Sequence, residues 1–306
     1  MERKVIVIVG PTCSGKTELA IKIAGNLNSE IISADSRQFY KYLDIGTAKP
    51  NAEELASVKH HFIDILLPDE EYNVSRFEKE ALHVITEIAR KDKIPVIAGG
   101  SGLYIKAVID GIFDAVDTDE NYRKELLELK HKYGDEFLYE KLKKVDPFVA
   151  EKLLPQNWKR VIRALEVYKL TGKSISEFQK EHKRETPFEF IQFGLNWPRE
   201  ILYENIEKRV DEMINKGLID EVKQLLSKGY SEELNALNTV GYKEIISFLR
   251  DEIDLTEAIR LIKRNTRRYA KRQMTWFRKD KRIYWFDINE RKQLNEIAKK
   301  IIDSVK

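Results

Sequence analysis

The start of the chain combines an apolar strand, a glycine-rich turn and the beginning of a helix, and this combination constrains the fold more than any other feature. Residues 5–9 are apolar, and the turn after them consists of Gly10, Pro11, Thr12, Cys13, Ser14, Gly15, Lys16 and Thr17. The spacing matches G-x-x-x-x-G-K-[ST], a loop whose backbone N–H groups and helix N-terminus surround a polyphosphate. Lys16 adds a full positive charge, and the Thr17 hydroxyl can ligate a Mg²⁺ ion that bridges phosphate oxygens. The turn is therefore predicted to bind a di- or triphosphate.

The composition predicts a folded protein, and no membrane anchor is expected. The 306 residues are 42% hydrophobic and 34% charged, which provides enough apolar material for a substantial core. The apolar runs are only as long as strands, and no secretory signal is apparent, so we expect no membrane association. Cys13 is the one cysteine, which excludes an intramolecular disulfide and a cysteine-based zinc site and suits the reducing cytoplasm.

Strand and helix patterns alternate through the first third of the chain, which is typical of a parallel α/β sheet. Predicted strands cover residues 5–9, 30–34, 61–66 and 94–98, and predicted helices cover 16–27, 74–91 and the residues after Gly102. We therefore predict the α/β fold class, with a P-loop NTPase-like parallel sheet that is flanked by helices.

An all-helical segment interrupts this alternation. Between residues 119 and 182 the strand signals disappear, and Lys/Glu-rich segments carry Leu, Phe and Tyr at helical spacing. A strand pattern returns at 188–197, Pro198 marks the start of a helix, and a last strand is predicted at 282–286. The predicted domains are a core formed by residues 1–115 and 188–306 and an all-helical insertion at 116–187.

Polar groups are expected where two of the predicted strands end. Asp35 follows the second strand, and ligands bind beyond the carboxyl ends of such strands. Its carboxylate could ligate Mg²⁺ through water, act as a general base, or only cap a loop. The fourth strand ends in Gly99-Gly100-Ser101-Gly102, where a hydrolysing P-loop NTPase usually has a metal-binding Asp. The glycines argue against an ATPase or GTPase motor and leave the Ser101 hydroxyl as the polar group there.

Two basic segments favour a polyanionic partner. Lys159, Arg160 and Arg163 lie about one turn apart in a predicted helix. A second stretch has almost no acidic residues and contains Arg260, Lys263, Arg264, Arg267, Arg268, Lys271, Arg272, Arg278, Lys279 and Lys281. It is predicted to form one long helix whose buried stripe consists of Ile259, Ile262, Tyr269 and Trp276. Charge of one sign on this scale is typical of a surface that meets a phosphate backbone.

Seven sequence blocks resemble the tRNA dimethylallyltransferase (tRNA isopentenyltransferase) family. The blocks are GPTCSGKT at 10–17, SADSRQFYKYLDIGTAKP at 33–50, AGGSGLYIKAV at 98–108, KRVIRALEVYKLTG at 159–172, RVDEMINKGLIDEV at 209–222, VGYKE at 240–244 and TRRYAKRQMTWFRK at 266–279. They follow one another in order over nearly the whole chain, and the block at 33–50 is highly specific. The zinc-finger extension of eukaryotic members does not follow them, so the bacterial type is expected.

This resemblance implies a reaction. The P-loop, which is the turn formed by residues 10–17, would hold dimethylallyl diphosphate. The acceptor would be the exocyclic amine of the adenosine at position 37 of tRNA, next to the anticodon. Prenylation of that amine would release pyrophosphate, with Mg²⁺ as cofactor. Because a stacked base cannot be reached, the adenosine would be turned out of the anticodon loop into a channel. A monomeric cytoplasmic enzyme is expected.

The resemblance also implies roles for individual residues. Asp35 would be the general base, and Ser101 would hydrogen-bond the diphosphate. Arg123 and Arg209 would neutralise the charge that develops on the departing pyrophosphate. Thr17 would be the metal-binding side chain. The residues expected to contact tRNA are Asp35, Ser36, Arg37, Gln38, Lys159, Arg160, Val161, Ile162, Arg163, Tyr242, Lys243, Arg267 and Arg268.

Two other functions are compatible with parts of the sequence. A P-loop kinase that phosphorylates a nucleoside or metabolite would share the loop and could use Asp35 as its base. It leaves the basic helix unexplained and predicts activity with ATP in the absence of tRNA. A non-catalytic RNA-binding protein with a nucleotide switch predicts nucleotide-dependent affinity and an Asp35→Ala variant that keeps its function.

Overall fold

One parallel sheet organises most of the described chain. The computed structural model describes residues 3–112, 119–181 and 186–305. Its strands are β1 (Arg3–Val9), β2 (Ile31–Ser33), β3 (His60–His61), β4 (Val96–Gly99), β5 (Phe188–Asn196) and β6 (Ile283–Asp287). Over these described ranges the strand order is β3-β2-β4-β1-β5-β6, and all neighbouring strands are parallel. The α/β fold class with a parallel sheet is therefore confirmed.

Helices account for most of the remaining described residues. They are α1 (Lys16–Asn26), α2 (Ala52–Ser57), α3 (Val74–Ala89), α4 (Gly102–Asp110), α5 (Glu120–Tyr133), α6 (Asp135–Val145), α7 (Pro147–Ala150), α8 (Trp158–Thr171), α9 (Ile175–Glu181), α10 (Arg199–Asn215), α11 (Leu218–Ser227), α12 (Tyr242–Leu249), α13 (Leu255–Phe277) and α14 (Leu294–Val305), with a 3₁₀ helix at Arg291–Gln293. In the described part of the chain, none of them is both long and apolar enough to cross a membrane.

The sheet is apolar on both faces, as its sequence pattern predicts. The side chains of Val5, Val7 and Val9 belong to one apolar cluster, whereas Ile6 and Ile8 belong to another on the opposite face. All five side chains are completely buried. A continuous β-branched run is typical of a parallel strand covered by helices on both sides, and it makes β1 a central strand.

The carboxyl ends of three strands meet at one edge of the sheet. Val9 at the end of β1 is paired with Gly99 of β4, and Ser33 of β2 is paired with Ala98. The turn after β1 therefore lies beside the segments that follow β2 and β4. A Cβ atom on Gly99 would lie 2.2 Å from the carbonyl oxygen of Ala34, so only glycine allows this approach. This edge positions the candidate site.

The prediction of a third strand over 61–66 is wrong beyond its first residue. The observed β3 consists of His60–His61 only. Phe62 and Asp64 have φ angles of 65° and 56°, which a strand cannot accommodate. Leu66 forms only an isolated bridge with Tyr40. The extended pattern ends because two non-glycine residues adopt the left-handed conformation, which the apolar pattern does not reveal.

The basic helix differs from its prediction in length and in its buried face. Helix α13 ends at Phe277, so the last cations of the basic stretch lie beyond it. Trp276 is 38% exposed instead of buried. The buried positions of α13 are Ala258, Ile262, Ala270, Gln273 and Phe277. The face that meets the core is thus turned relative to the predicted stripe, and it includes the polar Gln273.

Residues Asp110–Glu185 form a compact helical unit, and Met1–Ile109 with Thr186–Lys306 form the other. The core of the helical unit is built by Leu126, Leu138, Leu142, Val161 and Leu165, among others. The predicted start of the insertion at 116 lies outside the described residues. Its predicted end at 187 lies just beyond the end of the helical unit, because the Pro187 carbonyl already accepts a backbone hydrogen bond from the Arg3 N–H of β1.

Candidate diphosphate site

The turn after β1 has the backbone conformation of a phosphate-binding loop. Gly10 and Gly15 have φ angles of 149° and 88°, and Cys13 also has a positive φ of 64°. The indole N–H of Trp197 donates to the Ser14 carbonyl at 2.9 Å, which fixes the middle of the loop. Helix α1 begins directly after Gly15, so its first N–H groups point toward the loop. The local structure therefore presents partial positive charge to an anion.

Lys16 supplies the full charge of the loop. Its Nζ donates to the Pro11 carbonyl at 2.6 Å. The pKa of Lys16 is lowered to about 8, mainly by burial; the negative charge of Asp35 opposes this shift, and repulsion by Arg209 adds to it. The ammonium group is thus removed from water and surrounded by few anionic groups, and an anionic ligand would favour its charged form.

Diphosphate binding is therefore expected to weaken as the pH rises through about 8. Below that pH, Lys16 is already protonated when the ligand arrives; above it, binding must first charge the amine. The measurement is isothermal titration with dimethylallyl diphosphate. Its phosphate titrates with a pKa of about 6, so the charge of the ligand changes little in the alkaline range. In the Lys16→Arg variant the charge persists, and the alkaline fall in affinity should disappear. Equal pH profiles for the two proteins would show that titration of Lys16 does not cause the alkaline fall in affinity.

The P-loop lines a cavity of about 250 Å³. Its walls include Thr12, Cys13, Ser14, Gly15, Lys16, Thr17, Asp35, Gln38, Thr47, Ala48, Arg209 and Gln273. The structure therefore brings together most of the predicted loop residues, Asp35 from the end of β2 and Arg209 from α10. Gly10 and Pro11 do not line the cavity, but they shape the loop. A Cβ on Gly10 would lie 3.1 Å from Ser14 Oγ, and the Pro11 carbonyl accepts a hydrogen bond from Lys16.

A second cavity of about 320 Å³ shares several of these walls. Thr12, Asp35, Thr47, Ala48 and Arg209 line both cavities. The remaining walls combine polar groups with an apolar patch and include Ser36, Arg37, Thr239, Lys243, Tyr269, Arg272, Val210, Met213, Val240 and Ile262. A charged phosphate pocket thus adjoins a space of mixed polarity, and Asp35 and Arg209 stand at the boundary between the two.

Ser101 lies beside this site but lines neither cavity. Its Oγ accepts a hydrogen bond from the Ser36 N–H at 3.0 Å and donates to Ser36 Oγ at 3.3 Å. The hydroxyl therefore stabilises the turn that follows β2. Its predicted contact with the diphosphate stays a prediction.

Arg123 belongs to the helical unit, where it is paired with Glu166. The guanidinium Nε lies 2.7 Å from Glu166 Oε1, and Arg163 is 2.7 Å from the other carboxylate oxygen. The Glu166 side chain is completely buried, so the two arginines share one buried partner. Arg123 also donates through Nη2 to Glu166 Oε2 at 3.1 Å, and this bidentate contact holds its guanidinium in a fixed orientation. The predicted role of Arg123 at the leaving group stays a prediction.

Three of the residues predicted to contact tRNA have side chains with almost no accessible surface, and their contact with tRNA stays a prediction. Val161 and Ile162 are 0% and 5% exposed and fill the core of the helical unit. Tyr242 is 0% exposed, and its hydroxyl donates to Glu221. The neighbours of the first two residues, Lys159 and Arg160, are exposed.

The other predicted tRNA contacts occupy different environments. Gln38 is 8% exposed and its Nε2 donates to the Thr47 and Ala48 carbonyls, so it is a structural element of the cavity wall. Ser36 and Lys243 line the second cavity, as does Arg37, whose guanidinium donates to the Asn235 carbonyl. Asp35 lines both cavities, and Arg163 is paired with Glu166. Arg267 and Arg268 lie on α13.

Arg268→Ala is expected to weaken tRNA binding more than Arg267→Ala. Arg267 already lies 2.6 Å from Glu207 of α10, whereas Arg268 is exposed. A cation that neutralises a phosphate releases a counterion, so loss of Arg268 should reduce the salt slope by about 1. Filter binding of tRNA over a range of salt concentrations measures this, with the exposed Lys299→Ala on α14 as control. Equal effects of the two arginine variants would contradict the distinction.

Gln273 is a site residue that the sequence pattern does not reveal. It is 5% exposed; its Oε1 accepts from the Thr12 N–H at 2.8 Å, and its Nε2 donates to the Gly100 carbonyl at 3.0 Å. One amide thus joins the P-loop to the turn after β4. A Cβ on Gly100 would lie 2.2 Å from this Nε2, so a side chain at this position would displace the amide of Gln273. Gln273 leaves no sequence signal because both its partners are backbone groups far away in the chain.

The donor set at the cavity fits a Mg²⁺ ion that arrives with a diphosphate. In the described ranges, no group of three or more His, Cys, Asp or Glu side chains could hold a metal. The Thr17 hydroxyl and the Asp35 carboxylate, however, line the same cavity as the P-loop. Magnesium is commonly bound by one or two protein oxygens together with substrate phosphates and water.

Comparisons with known proteins decide the family. The sequence model of a family described as IPP transferase matches residues 38–280. The chain belongs to the IPP transferase family. It is 50% identical over 288 residues to the tRNA dimethylallyltransferase of Acetivibrio thermocellus, covering 94% of this chain and 92% of that one. It is 47% identical over 306 residues to that of Thermoanaerobacter sp., covering 99% and 97%.

Solved structures of the family have the same fold. The full-length tRNA isopentenylpyrophosphate transferase of Bacillus halodurans is 42% identical, with a TM-score of 0.73 and coverage of 100% of this chain and 97% of that one. A eukaryotic dimethylallyltransferase acting on tRNA is 30% identical, with a TM-score of 0.81 and coverage of 98% and 78%. The family predicted from the seven sequence blocks is therefore confirmed.

Proposed function

We propose that this chain transfers the dimethylallyl group of dimethylallyl diphosphate to the exocyclic amine of the adenosine at position 37 of tRNA and releases pyrophosphate. The observation that carries the proposal is the pair of adjoining cavities with Asp35 and Arg209 in their shared wall. One cavity has the chemistry of a diphosphate site, and the other has both polar and apolar walls for a base and a prenyl group. The relatives named as tRNA dimethylallyltransferases support it.

The reaction needs two kinds of protein group at this boundary. The bond between the allylic carbon and the diphosphate oxygen breaks, and the electron pair leaves with pyrophosphate. A bond forms between the amine nitrogen and the allylic carbon, and the nitrogen loses one proton. Lys16, the loop N–H groups and Arg209 offset the charge that grows on pyrophosphate. Asp35 positions the amine and takes the proton.

The site must also exclude water and admit one adenosine. An allylic carbon with cationic character reacts with water if water reaches it, so the apolar walls formed by Val210, Met213 and Ile262 protect it. The adenosine must leave its stack to reach Asp35, and a flipped base is held by hydrogen bonds and stacking.

The Thr17 hydroxyl and the diphosphate oxygens would hold Mg²⁺. When bound, Mg²⁺ neutralises part of the diphosphate charge. Because the P-loop, Asp35 and Arg209 come from one chain, we propose that a monomer suffices for catalysis. We place the reaction in the cytoplasm, since tRNA is the substrate.

The experiment combines the purified chain with Mg²⁺, labelled dimethylallyl diphosphate and a tRNA transcript. Two transcripts that differ only in A or G at position 37 form a matched pair. Nucleoside mass spectrometry should detect a prenylated adenosine with the first transcript and none with the second. A parallel reaction with labelled ATP and no tRNA tests the kinase alternative. ATP turnover without any prenylated nucleoside would overturn the proposal.

A further inference from the structure

A single carboxylate, that of Glu221 on α11, binds a distant loop through four hydrogen bonds. Its Oε2 accepts from the Asp44 and Ile45 N–H groups at 3.0 and 2.7 Å. Its Oε1 accepts from the Gly46 N–H at 3.1 Å and from the Tyr242 hydroxyl at 2.6 Å. A carboxylate has about four lone-pair sites, so its full accepting capacity is used here.

The loop that Glu221 holds has an unfavourable backbone conformation. Tyr42 and Ala48, at its two ends, have φ angles of 68° and 50°. Residues other than glycine keep this conformation only where the surrounding structure enforces it. Lys49 provides a second anchor, since its Nζ contacts Asp44, Asp64 and the Tyr40 carbonyl. Contacts from Glu221 and Asp64, outside the loop, thus add to the hydrogen bonds within the loop that hold it in this conformation.

This loop forms part of the wall that the two cavities share. Thr47 and Ala48 line both cavities, and their carbonyls accept from Gln38 Nε2 at 3.4 and 3.3 Å. Gly46 lies against the Tyr242 ring so closely that a Cβ would approach it to 2.4 Å. A shift of residues 44–46 would therefore move this part of the cavity wall.

We propose that Glu221 is a positioning residue for prenyl transfer, which fixes the backbone of residues 44–46 and thereby sets the wall between the diphosphate cavity and its neighbour. The inference rests on the proposed function. The inference depends on the carboxylate of Glu221. Three of its four donors are backbone N–H groups, and the amide nitrogen of a glutamine could not accept hydrogen bonds from them. Glutamine has the same size as glutamate and yet would lose at least part of this set.

The test compares Glu221→Gln with Asp220→Asn on the full-length chain. Asp220 is the adjacent acidic residue, and its side chain is 73% exposed. At a temperature where circular dichroism shows both variants folded, Glu221→Gln should lower kcat/KM for dimethylallyl diphosphate by about 10²-fold, as expected for a small displacement of the site wall. Asp220→Asn should behave like the parent chain. Removing one donor by Tyr242→Phe should give a smaller loss in the same direction.

A purely structural role would lower the melting temperature of Glu221→Gln and leave kcat/KM of the folded protein unchanged, and that result would overturn the inference. If Glu221→Gln does not fold, Tyr242→Phe decides: reduced kcat/KM supports the inference, and parent-like kinetics overturn it.

Binding of inorganic pyrophosphate by calorimetry separates this inference from the proposed function. If the parent chain forms no prenylated tRNA, weaker pyrophosphate binding by Glu221→Gln still supports the positioning role, and equal binding overturns it.

Discussion

Asp35→Asn is expected to lower kcat for prenyl transfer by about 10²–10⁴-fold, the usual effect of removing a general base. Asparagine has nearly the same shape, and its Oδ1 can still accept the hydrogen bond that Asp35 Oδ1 receives from the Arg37 N–H at 3.0 Å. The turn after β2 should therefore keep its structure. What is lost is the ability to take the proton from the adenosine amine.

Single-turnover rates measure this effect, because they report the chemical step without product release. The enzyme is present in excess over labelled tRNA, and prenylated adenosine is quantified over time. The affinity for tRNA, measured by filter binding, should stay close to that of the parent chain. Asp69→Asn, at an exposed position, serves as the control. A parent-like single-turnover rate for Asp35→Asn would exclude Asp35 as the base.

The sequence predicts the site residues that belong to a short contiguous motif or directly follow a buried strand. The P-loop is recognisable because its glycines, its lysine and its flanking strand are contiguous, and Asp35 because it directly follows a buried strand. Arg209 on α10 is predicted by the family resemblance alone, and its side chain lies in the cavity wall. For these residues, a short contiguous motif or a specific sequence block is enough to indicate their place at the site.

The sequence does not reveal contacts between a side chain and distant backbone. Gln273 binds Thr12, 261 residues away, and Glu221 binds Gly46 across 175 residues. Neither contact leaves a periodic signal, because the partner is an N–H group that every residue but proline has. Similarly, the left-handed conformations of Phe62 and Asp64 depend on tertiary structure and end the third strand earlier than its apolar pattern predicts.

For the buried tRNA candidates, helical periodicity and family resemblance point to different roles. Val161 and Ile162 lie on the inner face of an amphipathic helix, and Val161, Leu165 and the other apolar positions of α8 have the spacing of a core stripe. Helical periodicity alone assigns them to the core. The family resemblance covers the whole block and therefore includes them, although its charged members Lys159 and Arg160 are the exposed ones.

Arg209→Gln is expected to lower kcat/KM by about 10²–10³-fold, the range found when one group that stabilises developing negative charge is removed. Arg209 reaches the P-loop cavity from α10, where its charge acts on the same space as that of Lys16. Glutamine can still donate a hydrogen bond but carries no charge. Lys208→Gln removes a charge from the neighbouring exposed position of the same helix and should change kcat/KM little.

The same variant should change the pH dependence of diphosphate binding in a direction that a misfolded site would not. Arg209 lowers the pKa of Lys16, so its removal raises that pKa. The alkaline loss of affinity should then shift to higher pH, even though the overall affinity is weaker. Calorimetric titrations of the parent chain, Arg209→Gln and Lys208→Gln across the alkaline range measure this shift. An unchanged alkaline limb in Arg209→Gln would mean that Arg209 does not lower the pKa of Lys16.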